Sequence, residues 1–365
     1  MTEGSIPSTC AKLSGNWKKI MKKILALLIL TSLLACTENG NKNQNTENEN
    51  IVNVNEKIFV KLGDEEQYVE MTGTSDQLPV LLFLHGGPGW PQTPHLRYFN
   101  DDLTKEMIVV SWDQAGCGLS YMRNPNPKNL SKESLVNDAH ELTQYLKKKF
   151  NKEKIVLLGF SYGSVIGLKL AEKYPEDYYA YIGVSQLIDS DENWEISMQW
   201  LHEQAEKSRD TADLNQLIVI EQNRKAAGQI EVDEFMDKYK LLVKYNGTIY
   251  NPEIAKEIEK AEQHTYEDYE GYDWYEAFYY TSSKVKTDGF KIDLTHIKSI
   301  DIPVIFMAGR HDWNLPGEVA ERYLESLKAP QKEYIWFDQS GHEPPEEEPE
   351  EFNKAVIEIV KEKSR

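Results

Sequence analysis

Apolar residues along this chain follow two rhythms. Short, near-continuous runs at Val80–Leu84, Met107–Val110, Ile155–Leu158 and Ile302–Met307 read as strands covered on both faces, as in a parallel sheet. Tyr181–Val184 and Glu333–Phe337 read as two more, and Lys57–Leu62 with Tyr68–Thr72 as an opening hairpin. Between the strands the period lengthens. Leu135, Ala139, Leu142 and Leu146 recur at helical spacing, as do Phe352, Val356 and Ile359 near the end. A further helix, Val165 to Tyr174, stops before Pro175. This alternation predicts an α/β fold with a mostly parallel central sheet flanked by helices.

One long stretch breaks the pattern. From about Ser190 to Ser299 the chain is polar, helical in period and rich in aromatics, most densely at Tyr272–Tyr280. It reads as a helical cap inserted after the sixth strand and covering the edge of the sheet. Residues 56–189 and 300–365 then form the α/β core, and 190–299 the cap.

The first 55 residues belong to neither rhythm. Met21-Lys22-Lys23 precedes the apolar run Ile24–Ala35, which is shorter than the roughly twenty residues that span a bilayer and reads as a secretory leader. Leu33-Leu34-Ala35-Cys36 resembles a bacterial lipobox, which implies a lipidated Cys36 at the mature N-terminus. An ordinary leader with an incidental cysteine is the alternative. Residues 1–20 lie upstream as an extension, so 1–35 reads as extension and signal peptide. Eight asparagines fall in the nineteen positions 37–55, so 36–55 reads as a lipidated cysteine and a flexible tether. The expectation is a protein outside the cytoplasm, held at a bacterial membrane by a lipid anchor.

Charge narrows the partners. The 365 residues carry 60 acidic and 41 basic side chains, a net charge of −19, which excludes a nucleic-acid partner. Cys10, Cys36 and Cys117 are too few for a disulfide framework and have no CxxC spacing, so no metal site is expected. Positions 190–299 hold 23 acidic against 13 basic residues, a balance that would favour a cationic, free-amine substrate. Solubility is the plainer use of the same charge.

The densest chemical signal is Gly159-Phe160-Ser161-Tyr162-Gly163, set between a strand and a helix. A turn this tight lifts the Ser161 hydroxyl above the sheet, at the positive end of the following helix. Asp312 and His342 each follow a later strand, in the order a serine, carboxylate and imidazole relay takes on such a scaffold. A loop-capping Asp312 and a structural His342 are the competing readings, and His311 is assigned to its loop. His85-Gly86-Gly87-Pro88-Gly89 follows the strand Val80–Leu84, where the N–H of Gly87, with that of Tyr162, would form an oxyanion hole. No Gly-Lys-[Ser/Thr] follows, so a phosphate loop is excluded. His85 is expected to brace this loop.

These motifs, with Trp112-Asp-Gln-Ala-Gly-Cys-Gly-Leu-Ser120, resemble the α/β-hydrolase fold and, within it, the prolyl aminopeptidase (proline iminopeptidase) family. The resemblance covers most of Lys57 to Arg365. It implies release of an N-terminal residue, typically proline, through an acyl-enzyme, with no cofactor. The family's second motif carries arginine where Ala115 stands, and tryptophan commonly follows its nucleophile where Tyr162 stands. The resemblance also implies cap glutamates that grip the substrate amine; Glu276, beside Trp274, is the candidate. A carboxylesterase or small-acyl hydrolase on the same scaffold remains the alternative, and a non-catalytic binding lipoprotein the third.

Overall fold

The computed structural model describes residues 52–263, 266–285 and 291–364. The leader, Cys36 and the segment before Val52 lie outside the described residues. The sheet opens with the hairpin β1 (Val54–Leu62) and β2 (Glu65–Gly73). Val54 is buried and pairs with Gly73, so the first strand begins inside the segment expected to be tether.

The other strands are β3 (Val80–Leu84), β4 (Ile108–Asp113), β5 (Ile155–Phe160), β6 (Tyr178–Val184), β7 (Val304–Gly309) and β8 (Lys332–Phe337). They lie in the order β1-β2-β4-β3-β5-β6-β7-β8; the β1–β2 and β2–β4 pairs are antiparallel and all the others parallel. Strand β7 starts at Val304, not Ile302, because Pro303 has no N–H to give a ladder. The chain passes from β3 to β4 on one side and returns to β5 on the other. That reversal is the switch point at which open α/β sheets form a crevice.

Helices α1 (Thr93–Phe99), α2 (Gly118–Arg123), α3 (Lys132–Lys149) and α4 (Tyr162–Lys173) follow β3, β4 and β5. The inserted cap comprises α5 (Ser190–Ser208), α6 (Thr211–Ala227), α7 (Val232–Lys244), α8 (Pro252–Gln263) and α9 (Trp274–Val285). The core ends with α10 (Gly317–Ser326), α11 (Pro344–Glu347) and α12 (Pro349–Lys363). Two apolar layers result, as the pleat requires. Val80, Leu82 and Leu84 of β3 pack with α3, α4 and α10, while Leu81 and Phe83 pack with Leu96 of α1 and Phe352 and Val356 of α12.

The cap stands over the carboxyl ends of the strands and not, as expected, over the sheet edge. Thr281 Oγ1 of α9 donates to Gly116 O after β4, and Tyr269 OH donates to Asp113 Oδ2 at the end of β4, each at 2.6 Å. Trp313 N after β7 donates to Gly247 O at 2.9 Å. Apolar contact fixes this placement: Trp274 and Ala277 of α9 share a cluster with Trp90, which directly follows the loop after β3. No described helix is long and apolar enough to cross a membrane.

Candidate active site

Ser161 sits between β5 and α4 with φ 51° and ψ −118°, a conformation L-residues rarely adopt. Gly163 makes the turn possible: a Cβ there would lie 2.1 Å from Leu84 O. The serine is thereby held at the crevice, with the N-terminal turn of α4 beneath it.

His342, in the loop after β8, places Nε2 3.0 Å from Ser161 Oγ. Its Nδ1 lies 2.8 Å from Asp312 Oδ2, in the loop after β7. Asp312 also caps its turn, since Oδ1 accepts the N–H of Asn314 at 2.9 Å and of Leu315 at 2.8 Å. The two readings of this aspartate are therefore compatible, one oxygen serving each. Burial alone would lower the imidazole pKa; the Asp312 carboxylate, with Glu343 and Glu347 nearby, overcomes it and pushes the value up to about 9. Such a relay can deliver a serine oxygen to a carbonyl and move the proton to a leaving group.

Gly86 and Gly87 line the same cavity as Ser161, and Gly87 has φ 100°, which only glycine adopts without strain. His85 is buried and braces this loop: Nδ1 donates to Gly86 O at 2.9 Å, so Nε2 accepts the N–H of Gln114 at 3.1 Å. Burial pushes its pKa down to about 4, so the ring is neutral. His311 stacks on Tyr250 at 3.7 Å, away from the relay.

The cavity between core and cap measures about 1260 Å³ and is lined by Ser161 and His342. Trp274 lines it, packed against Trp90 at 5.1 Å between ring centroids. Glu276 does not line it; the residue is exposed and accepts a hydrogen bond from Tyr121 OH at 3.0 Å. Two helical positions turn a side chain by about 200°, so burying Trp274 points Glu276 outward. Other carboxylates occupy the cavity wall, among them Glu262 and Glu343.

Residues 79–349 match the alpha/beta hydrolase fold family. The chain belongs to that family. Among its relatives, this hydrolase is similar to the probable aminopeptidase YbaC of Bacillus subtilis (strain 168). The two are 26% identical over 298 residues, covering 80% of this chain and 92% of the other. It is 36% identical to a proline iminopeptidase of Neisseria gonorrhoeae over 110 residues, which are 30% of this chain and 33% of that one. A crystal structure of proline iminopeptidase from Mycobacterium smegmatis matches with a TM-score of 0.60 at 19% identity, covering 84% of this chain and 98% of that one; the likeness is one of fold.

Sequence reasoning missed the carboxylate and imidazole network at the cavity wall of this hydrolase. His95 of α1 is buried, with Nδ1 2.9 Å from Glu346 Oε1 and Nε2 3.3 Å from Glu262 Oε1. Burial opposes its charge, but hydrogen bonds to Glu262 and Glu346 push the pKa up to about 10. A histidine three residues after Gln92 in a polar-looking turn carries no periodic signal, and its partners lie 167 and 251 positions away.

Proposed function

We propose that this hydrolase is a serine aminopeptidase that releases the N-terminal residue of a peptide. Ser161 attacks the first peptide carbonyl, and His342 accepts its proton and passes it to the leaving amine. Asp312 orients the imidazole, the N–H groups of Gly87 and Tyr162 receive the oxyanion, and water then releases the acyl group from Ser161. The observation that carries this reading is the cavity's charge. Glu259, Glu262, Glu267, Glu270, Asp273 and Glu343 line it, and no Lys or Arg does among the described residues. Such a wall attracts a free ammonium and opposes an anionic acyl group.

Proline is the residue to test first, because several relatives that match about a third of this chain are named proline iminopeptidase. The experiment is hydrolysis of L-proline p-nitroanilide by the full chain, against a panel of other aminoacyl p-nitroanilides and p-nitrophenyl acetate. Cleavage of the ester with none of any free-amine amide would replace this reading with the carboxylesterase one. Lipidation of Cys36 belongs to the same proposal and is supported by Leu33-Leu34-Ala35-Cys36 alone. Loss of detergent-phase partitioning in Cys36→Ala tests it.

A further inference from the structure

We propose that Glu343 is the residue that binds the substrate's α-ammonium, an assignment that rests on the aminopeptidase reading above. The acids around the cavity form two groups. Glu259, Glu267, Glu270 and Asp273 are exposed, where water and salt screen a charge and leave little attraction for one bound ion. Glu262, Glu343, Glu346 and Glu347 lie deeper, at or behind the wall.

Three of these four are already engaged. Glu262 accepts Trp90 Nε1–H at 2.9 Å and faces His95 Nε2. Glu346 is held by His95 Nδ1 and by Gln92 Nε2. Glu347 accepts the backbone N–H of Tyr250 and of Gly341, each at 2.7 Å. The Glu343 carboxylate accepts no hydrogen bond among the described residues, although the residue lines the cavity together with Ser161 and His342. Glu343 is half-buried, so its carboxylate loses part of its water without gaining a donor, and an ammonium supplies up to three.

Sharing one cavity gives the pairing its consequence. Glu343 directly follows His342 and lines the same cavity as Ser161. In the substrate, the α-nitrogen is one carbon removed from the first carbonyl. An ammonium paired with Glu343 would keep the first carbonyl in the cavity that Ser161 lines, and an N-acylated peptide would leave Glu343 unpaired. Phe235, Tyr239, Trp274 and Phe278 supply apolar wall for the side chain of that first residue.

The test is the ratio of kcat/KM for a free-amine aminoacyl p-nitroanilide to that for p-nitrophenyl acetate, in the wild-type full chain and in Glu343→Gln. The ratio should fall roughly 10- to 100-fold, the loss expected on deleting a charge-assisted hydrogen bond, chiefly through KM of the anilide. An equal loss on both substrates, with the ratio unchanged, overturns the assignment, because a purely structural role acts on both. If Glu343→Gln fails to label with a fluorophosphonate, the ratio is read in Glu343→Asp. Its shorter reach should lower the ratio severalfold, and no change again overturns the assignment. A wild type that cleaves the ester and no free-amine amide defeats the aminopeptidase reading itself. One that cleaves the amide, with an unchanged ratio in the variants, defeats only the role of Glu343.

Discussion

Glu347 Oε2 accepts the backbone N–H of Tyr250 in the cap at 2.7 Å, while Oε1 accepts that of Gly341, the residue before the base, at the same distance. One buried carboxylate thus ties the loop of His342 to the start of α8. Replacing it by alanine leaves buried N–H groups without acceptors, at a cost of about 1–3 kcal/mol each. Glu347→Ala should lower the midpoint of chemical denaturation. It should also reduce kcat by roughly 10- to 100-fold, because small misplacements of a base are costly. Glu347→Gln keeps one acceptor and should lose less in both measurements.

Asp312→Asn separates the two duties of that side chain. The amide oxygen can still accept the N–H groups of Asn314 and Leu315, so the fold should survive. The imidazole loses its anionic partner and its correct tautomer, and kcat should drop by about 10⁴. Ser161→Ala should lose at least as much and abolish fluorophosphonate labelling. Labelling that persists in Ser161→Ala would place the nucleophile elsewhere.

Activity should rise with pH through the alkaline range. His342 must be neutral to accept a proton, and its pKa is pushed up to about 9, so the base is protonated below that value. Ester hydrolysis should climb toward a plateau above about pH 9. A free-amine substrate also needs its own proton, and an α-amino group titrates near 8. Burial pushes Glu343 up to about 8, so its negative charge develops over the same range. The anilide profile should therefore peak between about pH 8 and 9 while the ester profile keeps rising. Profiles of identical shape would contradict this assignment of protons.

Gly163→Ala should fail at the level of folding. The added Cβ would meet Leu84 O at 2.1 Å and His85 O at 2.5 Å, both backbone atoms at the end of β3. No side-chain rotation relieves that overlap. The expected loss is about 3 kcal/mol or more, read as insolubility or a steep drop in thermal midpoint.

What could be read from the chain alone follows from range. Strands β3, β5 and β7 announce themselves because burial on both faces demands unbroken apolar runs, and Ser161 because the elbow demands glycines within two residues. The positions of Asp312 and His342 follow from strand ends and chain order. The cavity wall does not. Glu262, Glu343 and His95 meet through the fold, and nothing local distinguishes Glu343 from the acids that follow it in the run Glu346–Glu348. Trp274 and Glu276 show the same limit from the other side, since composition placed them together and helix geometry parted them.

The strand-end placement of the cap changes how this enzyme could diversify. Gly247 O accepts Trp313 N–H beside the carboxylate, and Thr248 O accepts His342 N–H at 2.5 Å. Residues 247–251 are thus a shared part, belonging by sequence to the insertion and by hydrogen bonding to the relay. Exchanging the whole insertion for another family member's would disarm the core along with changing its specificity. Variation confined to the aromatic wall of α7 and α9 leaves that shared part alone and offers the safer route to new substrates.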